Sequence, residues 1–345
     1  MMRYLFFITK PYSISVCRPL YEEILRSERG EGLIFATTKV KALIDFSAPS
    51  TDSIQTAIDF QPNVVFVPGN FVHDKIPGLK VQIFHGLCEE KGGHYKITGF
   101  FDLYCTCGPL ITARFQKLAK RYGYFRVKET GWPKIDLLLR PFDHTELCRR
   151  LNLDLNRKII LYAPTFSPKF KSSDEIIKAL HDMPRTDEQW IIKFHDLMAV
   201  EDRLRFQKLP PDKFKIYSGH DNTPLLQVAD VLISDTSSIV YEFMLLDKPV
   251  VTIGARVRPE KAINLASVED LRAAIDRSLR DPREYTENRR RTLAQIHPYY
   301  DTANSQRVLT AVDDFLADPD IVKLKKKPLN LYRKYKVRRK FDVWF

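Results

Sequence analysis

The stretch ADVLISDTSSIVYEFMLLDKPVV, residues 229–251, reads as strand, turn, helix and strand in quick succession. DVLISD (230–235) is apolar without alternation, which suits a strand buried on both faces, and PVVTIG (249–254) repeats that pattern after a helical SIVYEFMLL that carries Glu242. Between the first strand and the helix stand Ser234, Asp235, Thr236, Ser237 and Ser238. A helix that starts at the end of a strand presents unpaired N–H groups and the positive end of its dipole, and neighbouring hydroxyls add donors, so this junction is suited to a phosphate or diphosphate. The competing reading is that Asp235, Thr236 or Ser237 only caps the helix.

The same rhythm extends in both directions. Upstream lie KIILYAPT (158–165), WIIKFH (190–195) and FKIYSG (214–219), with helical stretches such as SDEIIKALHDM and TPLLQVA between strands. Before a connection at 141–157, RYLFFI (3–8), GLIFAT (32–37), NVVFVPG (63–69), KVQIFHG (80–86), LYCTCG (103–108) and FRVKETG (125–131) form an earlier series, spaced by helices such as PLYEEILRSER (19–29) and PLITARFQKLAKRYG (109–123). Continuous apolar runs alternating with helices predict parallel sheets covered on both faces. The expected fold is α/β, with two Rossmann-like domains facing a cleft: residues 1–145, then 155–300, then a helix over 301–320 and a basic aromatic tail over 321–345. In open α/β sheets ligands lie beyond the carboxyl ends of the strands, so chemistry is expected on the loops that leave them.

Two histidines occupy such ends. His85 closes the strand KVQIF ahead of Gly86, where an imidazole could take a proton from a hydroxyl nucleophile; His195 closes WIIKF, where it could bind a phosphate or protonate a leaving group. For each alone the plainer reading is a satisfied, partly buried histidine, but two at strand ends, one in each half, are harder to set aside. His94, in a Gly-Gly-His-Tyr turn, is read mainly as a loop residue, and Cys105 and Cys107 as small buried hydrophobes. The five cysteines form no CxxC pair, and no GxxxxGK[ST] or GxSxG segment occurs, which disfavours a zinc ribbon, P-loop ATP hydrolysis and serine-hydrolase chemistry. No metal site and no cofactor are called for; a divalent-ion requirement is left open.

Taken in order, FHG (84–86), TGWPKIDLLL (130–139), ILYAPTF (160–166), IIKFH (191–195) and ADVLISDTSSIVYEFMLLDKPVV resemble the CDP-glycerol glycerophosphotransferase family, enzymes that prime and polymerise the poly(glycerol phosphate) of teichoic acids. The resemblance implies a glycosyltransferase B architecture used for phosphoryl transfer. It makes His85 the base that activates an acceptor hydroxyl for attack on the β-phosphorus of CDP-glycerol, with loss of CMP. His195 and the Ser237/Ser238 turn, with Ser234, Asp235, Thr236 and Glu242, would hold the donor's diphosphate. Pro164 and Thr165 on the donor side, and Gly86, Gly131 and Asp136, would shape the cleft. The implied acceptor is a lipid-linked glycan or glycerophosphate chain. Leu87 and Thr236 depart from the family's usual residues, which leaves the alditol of the donor and the acceptor open. The alternatives are a nucleotide-sugar glycosyltransferase or UDP-sugar epimerase of the same fold, or a nucleotide-binding partner without activity.

The net charge of +12 is concentrated at one end, because residues 322–345 hold ten Lys/Arg and one Asp. The rest of the chain is close to neutral, and nucleic acid is therefore a disfavoured partner. Cations interleaved with Leu, Tyr, Phe and Trp suit an anionic membrane surface, with a solvated or folded-back tail as the alternative. The short apolar start before Lys10 and Pro11 and the absence of any 18-residue apolar run lead to the expectation of a cytoplasmic protein, peripheral on the inner face of the membrane.

Overall fold

A computed structural model describes residues 1–87, 95–167 and 171–343. It divides into two compact units, the first formed by residues 1–85, 91–137 and 296–345, the second by 86–90 and 138–295. The first therefore takes back the C-terminal segment that the sequence suggested as a separate helix and tail.

In the first unit β1 (Met2–Ile8), β2 (Gly30–Ala36), β3 (Ser50–Thr51), β4 (Val64–Val67), β5 (Leu79–Gln82), β6 (Leu103–Thr106) and β7 (Arg126–Glu129) form one sheet in the order β3-β2-β1-β4-β5-β6-β7. Every pairing is parallel. In the second, β8 (Lys158–Tyr162), β9 (Glu188–Lys193), β10 (Phe214–Tyr217), β11 (Val231–Ser234), β12 (Val250–Ile253) and β13 (Ile263–Leu265) follow the order β10-β9-β8-β11-β12-β13, again all parallel. Each is the doubly wound arrangement in which strand order reverses beside the first strand, and it explains why the central strands lack alternation: both their faces are covered, whereas the edge strand Arg126–Glu129 has no buried residue. Phe6, Phe66, Tyr104, Leu161, Leu232 and Val251 are all shielded from solvent.

Local chemistry sets the helix ends. The helix Pro109–Tyr122 opens on a proline, whose missing N–H costs nothing in the first turn, and closes at Gly123, whose φ of 76° lets its N–H reach Ala119 O at 2.8 Å. Pro19, by contrast, does not open its helix. That helix runs Ile14–Arg26 straight through the proline, because Val16, Cys17, Leu20, Tyr21 and Ile24 bury one continuous face. Cys105 and Cys107 are buried in the sheet as expected, and burial pushes their thiols up.

The C-terminal return is anchored within the first unit. Asp136 accepts Asn304 N at 2.9 Å, Asn304 Nδ2 at 2.6 Å and Ser305 N at 2.7 Å, satisfying the first turn of the helix Asn304–Ala317. Gly131 has φ 77°, and a Cβ there would stand 1.8 Å from Asn304 Oδ1. Gly131 and Asp136, two of the residues that the resemblance assigned to shaping a cleft, thus seat this helix.

Beyond it the basic segment is not a free tail. Lys325 N donates to Gly123 O at 2.9 Å, Lys327 Nζ pairs with Asp102 at 2.6 Å, and Asn330 Nδ2 donates to Thr98 O at 2.7 Å. The helix Leu331–Phe341 then carries Arg338 to Asp74 and sets Phe341 edge-on to Phe7 and Phe35, 5.7 and 5.6 Å between ring centres. Among the described residues no helix is long and apolar enough to cross a membrane.

Candidate active site

In the second unit the strand order reverses between β8 and β11, and the loops leaving those two strands are fastened together. Ser234 Oγ donates to Ala163 O at 2.6 Å. The Asp235 carboxylate, 2% exposed, accepts Thr165 N at 2.8 Å, Ser172 N at 2.9 Å and Ser172 Oγ at 3.0 Å. Ser234 and Asp235 therefore fasten these two loops to each other, the carboxylate accepting three hydrogen bonds from the loop after β8. Thr236, Glu242 and Pro164 are buried as well, and Thr165 is 1% exposed with an Oγ1 that has no hydrogen-bond partner. Of the five residues in the turn, Ser237 and Ser238 are the ones that reach partial exposure. The helix that follows, Ile239–Met244, is short, and the Ser238 side chain does not cap it. The N-cap position thus falls on Ser238 rather than on Asp235, Thr236 or Ser237, the caps that the sequence allowed.

His195 follows β9 and is partly exposed. Its Nδ1 accepts the backbone N–H of Leu197 at 3.1 Å, so the neutral ring carries its proton on Nε2, a donor. Phe166, from the β8 loop, packs on the imidazole at 4.4 Å between ring centres. Arg203 donates to the carbonyls of His195 and Asp196 at 3.2 and 2.8 Å, bringing a fixed positive charge beside the histidine. Arg203 was not singled out from the sequence; it lies eight residues along, on a helix whose face could not be assigned from spacing alone.

His85 has the opposite tautomer. In the first unit its Nδ1 lies 3.2 Å from Pro68 O, and a carbonyl can only accept, so the proton sits on Nδ1 and the lone pair on Nε2. The ring also faces Tyr12, 5.6 Å between centres. Gly86 directly behind it is buried. Three residues that shape this corner escaped the sequence reading: Gln82, Pro68 and Trp132. The first left a signal, being a glutamine inside an apolar strand. His94 and the acidic pair at 89–90 lie outside the described residues.

Comparison with known proteins gives this geometry a context. Residues 102–255 match the family described as CDP-glycerol:poly(glycerophosphate) glycerophosphotransferase. That part of the chain is similar to the family. The teichoic acid glycerol-phosphate primase of Bacillus subtilis is 32% identical over 167 residues, 40% of this chain and 41% of that protein. The teichoic acid ribitol-phosphate polymerase TarK of Staphylococcus aureus is 29% identical over 202 residues, covering 50% of this chain and 38% of that one. The matches thus span about two fifths of the length of these curated relatives. Among solved structures, the wall teichoic acid polymerase TagF superposes with a TM-score of 0.70 at 16% identity, over 91% of this chain and 90% of that one. An S. aureus MnaA–UDP complex superposes with a TM-score of 0.68 at 16% identity, over 92% and 97%. The fold is accordingly the two-Rossmann, glycosyltransferase B type expected from the sequence.

Proposed function

We propose that the chain transfers glycerol phosphate from CDP-glycerol to a hydroxyl of a lipid-linked glycan or glycerophosphate acceptor, releasing CMP, in cell-wall polymer biosynthesis. The observation that carries this reading is the pair of opposite tautomers: His85 offers a lone pair at Nε2 and His195 a proton at Nε2. Those are the two roles a phosphoryl transfer needs. His85 accepts the proton of the acceptor hydroxyl as its oxygen bonds to the β-phosphorus. The bridging oxygen departs with CMP, and His195, with the Arg203 charge beside it and the partly exposed Ser237 and Ser238, offsets the charge that develops there. In such reactions positioning and electrostatic stabilisation supply most of the acceleration, so no covalent intermediate is required. The teichoic acid names of the relatives support the same chemistry.

The donor's alditol has a second reading. Ribitol-phosphate polymerases are among the relatives, so CDP-ribitol is the competing donor. The basic C-terminal segment supports a peripheral position on the inner membrane face, where a lipid-linked acceptor would be met.

The test is release of CMP from CDP-glycerol or CDP-ribitol by the purified protein, with membrane lipid extract as acceptor. His85→Ala and His195→Ala should each lower the rate by about 10²–10⁴-fold, the range for loss of a general acid or base. A His85→Ala variant that keeps its rate removes the assigned base. Consumption of a nucleotide sugar with neither CDP-alditol touched replaces the reaction.

A further inference from the structure

We infer that Gln82 is a positioning residue for His85, acting through the turn Pro68-Gly69-Asn70, and that Trp132 holds the same histidine from its backbone side. The chemistry assigned to His85 rests on the function proposed above; the geometry does not.

Gln82 ends β5 with its side chain 2% exposed, between the buried Val81 and Ile83. A primary amide at such a position is costly unless its hydrogen bonds are made, so its presence calls for a use. Nε2 has two N–H bonds and spends both on one turn: Gly69 O at 3.0 Å and Asn70 Oδ1 at 2.7 Å. That turn leaves β4, and the carbonyl just before Gly69 is the Pro68 O that receives His85 Nδ1–H. The amide of Gln82 thereby fixes the acceptor that selects the tautomer of a histidine three residues further along its own chain.

The backbone side is held differently. Phe84 has φ 57°, the left-handed region, which is unfavourable for a bulky residue and persists only where its surroundings enforce it. They do so here: the Phe84 ring is buried edge-on against Phe115 at 5.2 Å, and its carbonyl accepts the Trp132 indole N–H at 3.4 Å. Trp132 is itself buried, and its backbone N–H is taken by His297 Nε2 at 3.0 Å. His85 thus leaves the strand on a strained turn whose strain is absorbed by the core, with its ring steered onto Pro68 O.

Two variants test this. Gln82→Met keeps length and volume but removes both donors; Trp132→Phe keeps an aromatic ring but removes the indole N–H. The imidazole ¹⁵N shifts of His85, assigned by their loss in His85→Gln and read above its titration, should report the Nδ1–H tautomer in the unchanged protein. In either variant they should move toward Nε2–H, and kcat for transfer should fall roughly 10–100-fold with KM for the donor within about threefold, the signature of lost positioning. A folded Gln82→Met or Trp132→Phe protein whose His85 keeps the Nδ1–H tautomer overturns the inference. If one variant fails to fold, the other carries the same two outcomes. Because the tautomer is read without substrate, a protein inactive on CDP-alditols would overturn the proposed function and leave the positioning test standing.

Discussion

Asp235 is a buried carboxylate that acts as a structural fastener between two loops. Its three accepted hydrogen bonds, all 2.8–3.0 Å and buried, tie the end of β11 to the loop after β8. Removing the carboxylate would leave the N–H groups of Thr165 and Ser172 and the Ser172 hydroxyl short of a partner. Asp235→Ala should therefore destabilise the protein by about 2–4 kcal/mol in urea denaturation, while Asp235→Asn, whose amide oxygen can still accept, should cost less. Ser237→Ala, at a partly exposed position, should stay within about 0.5 kcal/mol of the unchanged protein. An Asp235→Ala protein as stable as Ser237→Ala would show that the two loops do not depend on this carboxylate. The hydroxyl-rich turn was legible in the sequence because its composition interrupts an apolar run. Which of its five residues face outward was not, since that depends on a partner loop some 70 positions away in the chain.

The C-terminal segment presents the same problem for a whole element. Its cations were countable, but its docking was not, because Lys327, Asn330 and Arg338 find their partners at Asp102, Thr98 and Asp74, more than 220 positions earlier. One of these pairings is partly buried and still holds its charge. Burial alone would raise the Asp74 carboxyl, and the Arg338 guanidinium outweighs it, holding Asp74 below the usual carboxylate range. Docking also sorts the helix Leu331–Phe341 into two faces. Val337 turns inward and is buried, whereas Leu331 and Tyr332 are each 69% exposed, among lysines and arginines. A fixed surface of that kind suits the headgroup region of an anionic bilayer, where each engaged cation contributes about 1 kcal/mol and aromatic residues add to it. The protein should co-sediment with vesicles rich in phosphatidylglycerol but not with phosphatidylcholine vesicles, and binding should weaken as salt rises. The exposed-face variant Leu331→Ser/Tyr332→Ser/Tyr335→Ser should reduce binding at least tenfold while leaving the melting temperature nearly unchanged. Equal binding to both vesicle types, or no effect of the triple variant, would remove the membrane role of this face.

Across the molecule, the strand series was readable because the central parallel strands are covered on both faces and apolar; the two strands it missed, Ser50–Thr51 and Ile263–Leu265, carry too few residues to show a pattern. The chain's return to its first unit was hidden because its fastening is a set of pairings remote in sequence, Asp136 with Asn304 and Trp132 with His297. The second of these makes global stability sensitive to acid. His297 is fully buried, and burial lowers its pKa from the ordinary 6.5 to about 4. The unfolded chain takes up a proton near pH 6.5 that the folded chain refuses until about pH 4, so the unfolded state binds more protons across that window and stability falls as pH falls through it. The loss approaches the order of 3 kcal/mol at the acid end, from about 1.4 kcal/mol per unit of displacement. Once protonated, Nε2 can no longer accept from Trp132 N, and the residue that steadies Phe84 ahead of His85 loses one of its own supports. Glutamine at this position can offer an amide oxygen in place of Nε2 without taking up a proton. His297→Gln should therefore be less stable than the unchanged protein at pH 7.5 through imperfect packing, and the gap should narrow or reverse by pH 4.5. Urea midpoints that fall in parallel for the two proteins between pH 7.5 and 4.5 would mean that His297 does not set the acid limit. Midpoints that converge would place the proton-sensitive contact in the same layer that seats the C-terminal helix and backs the proposed base.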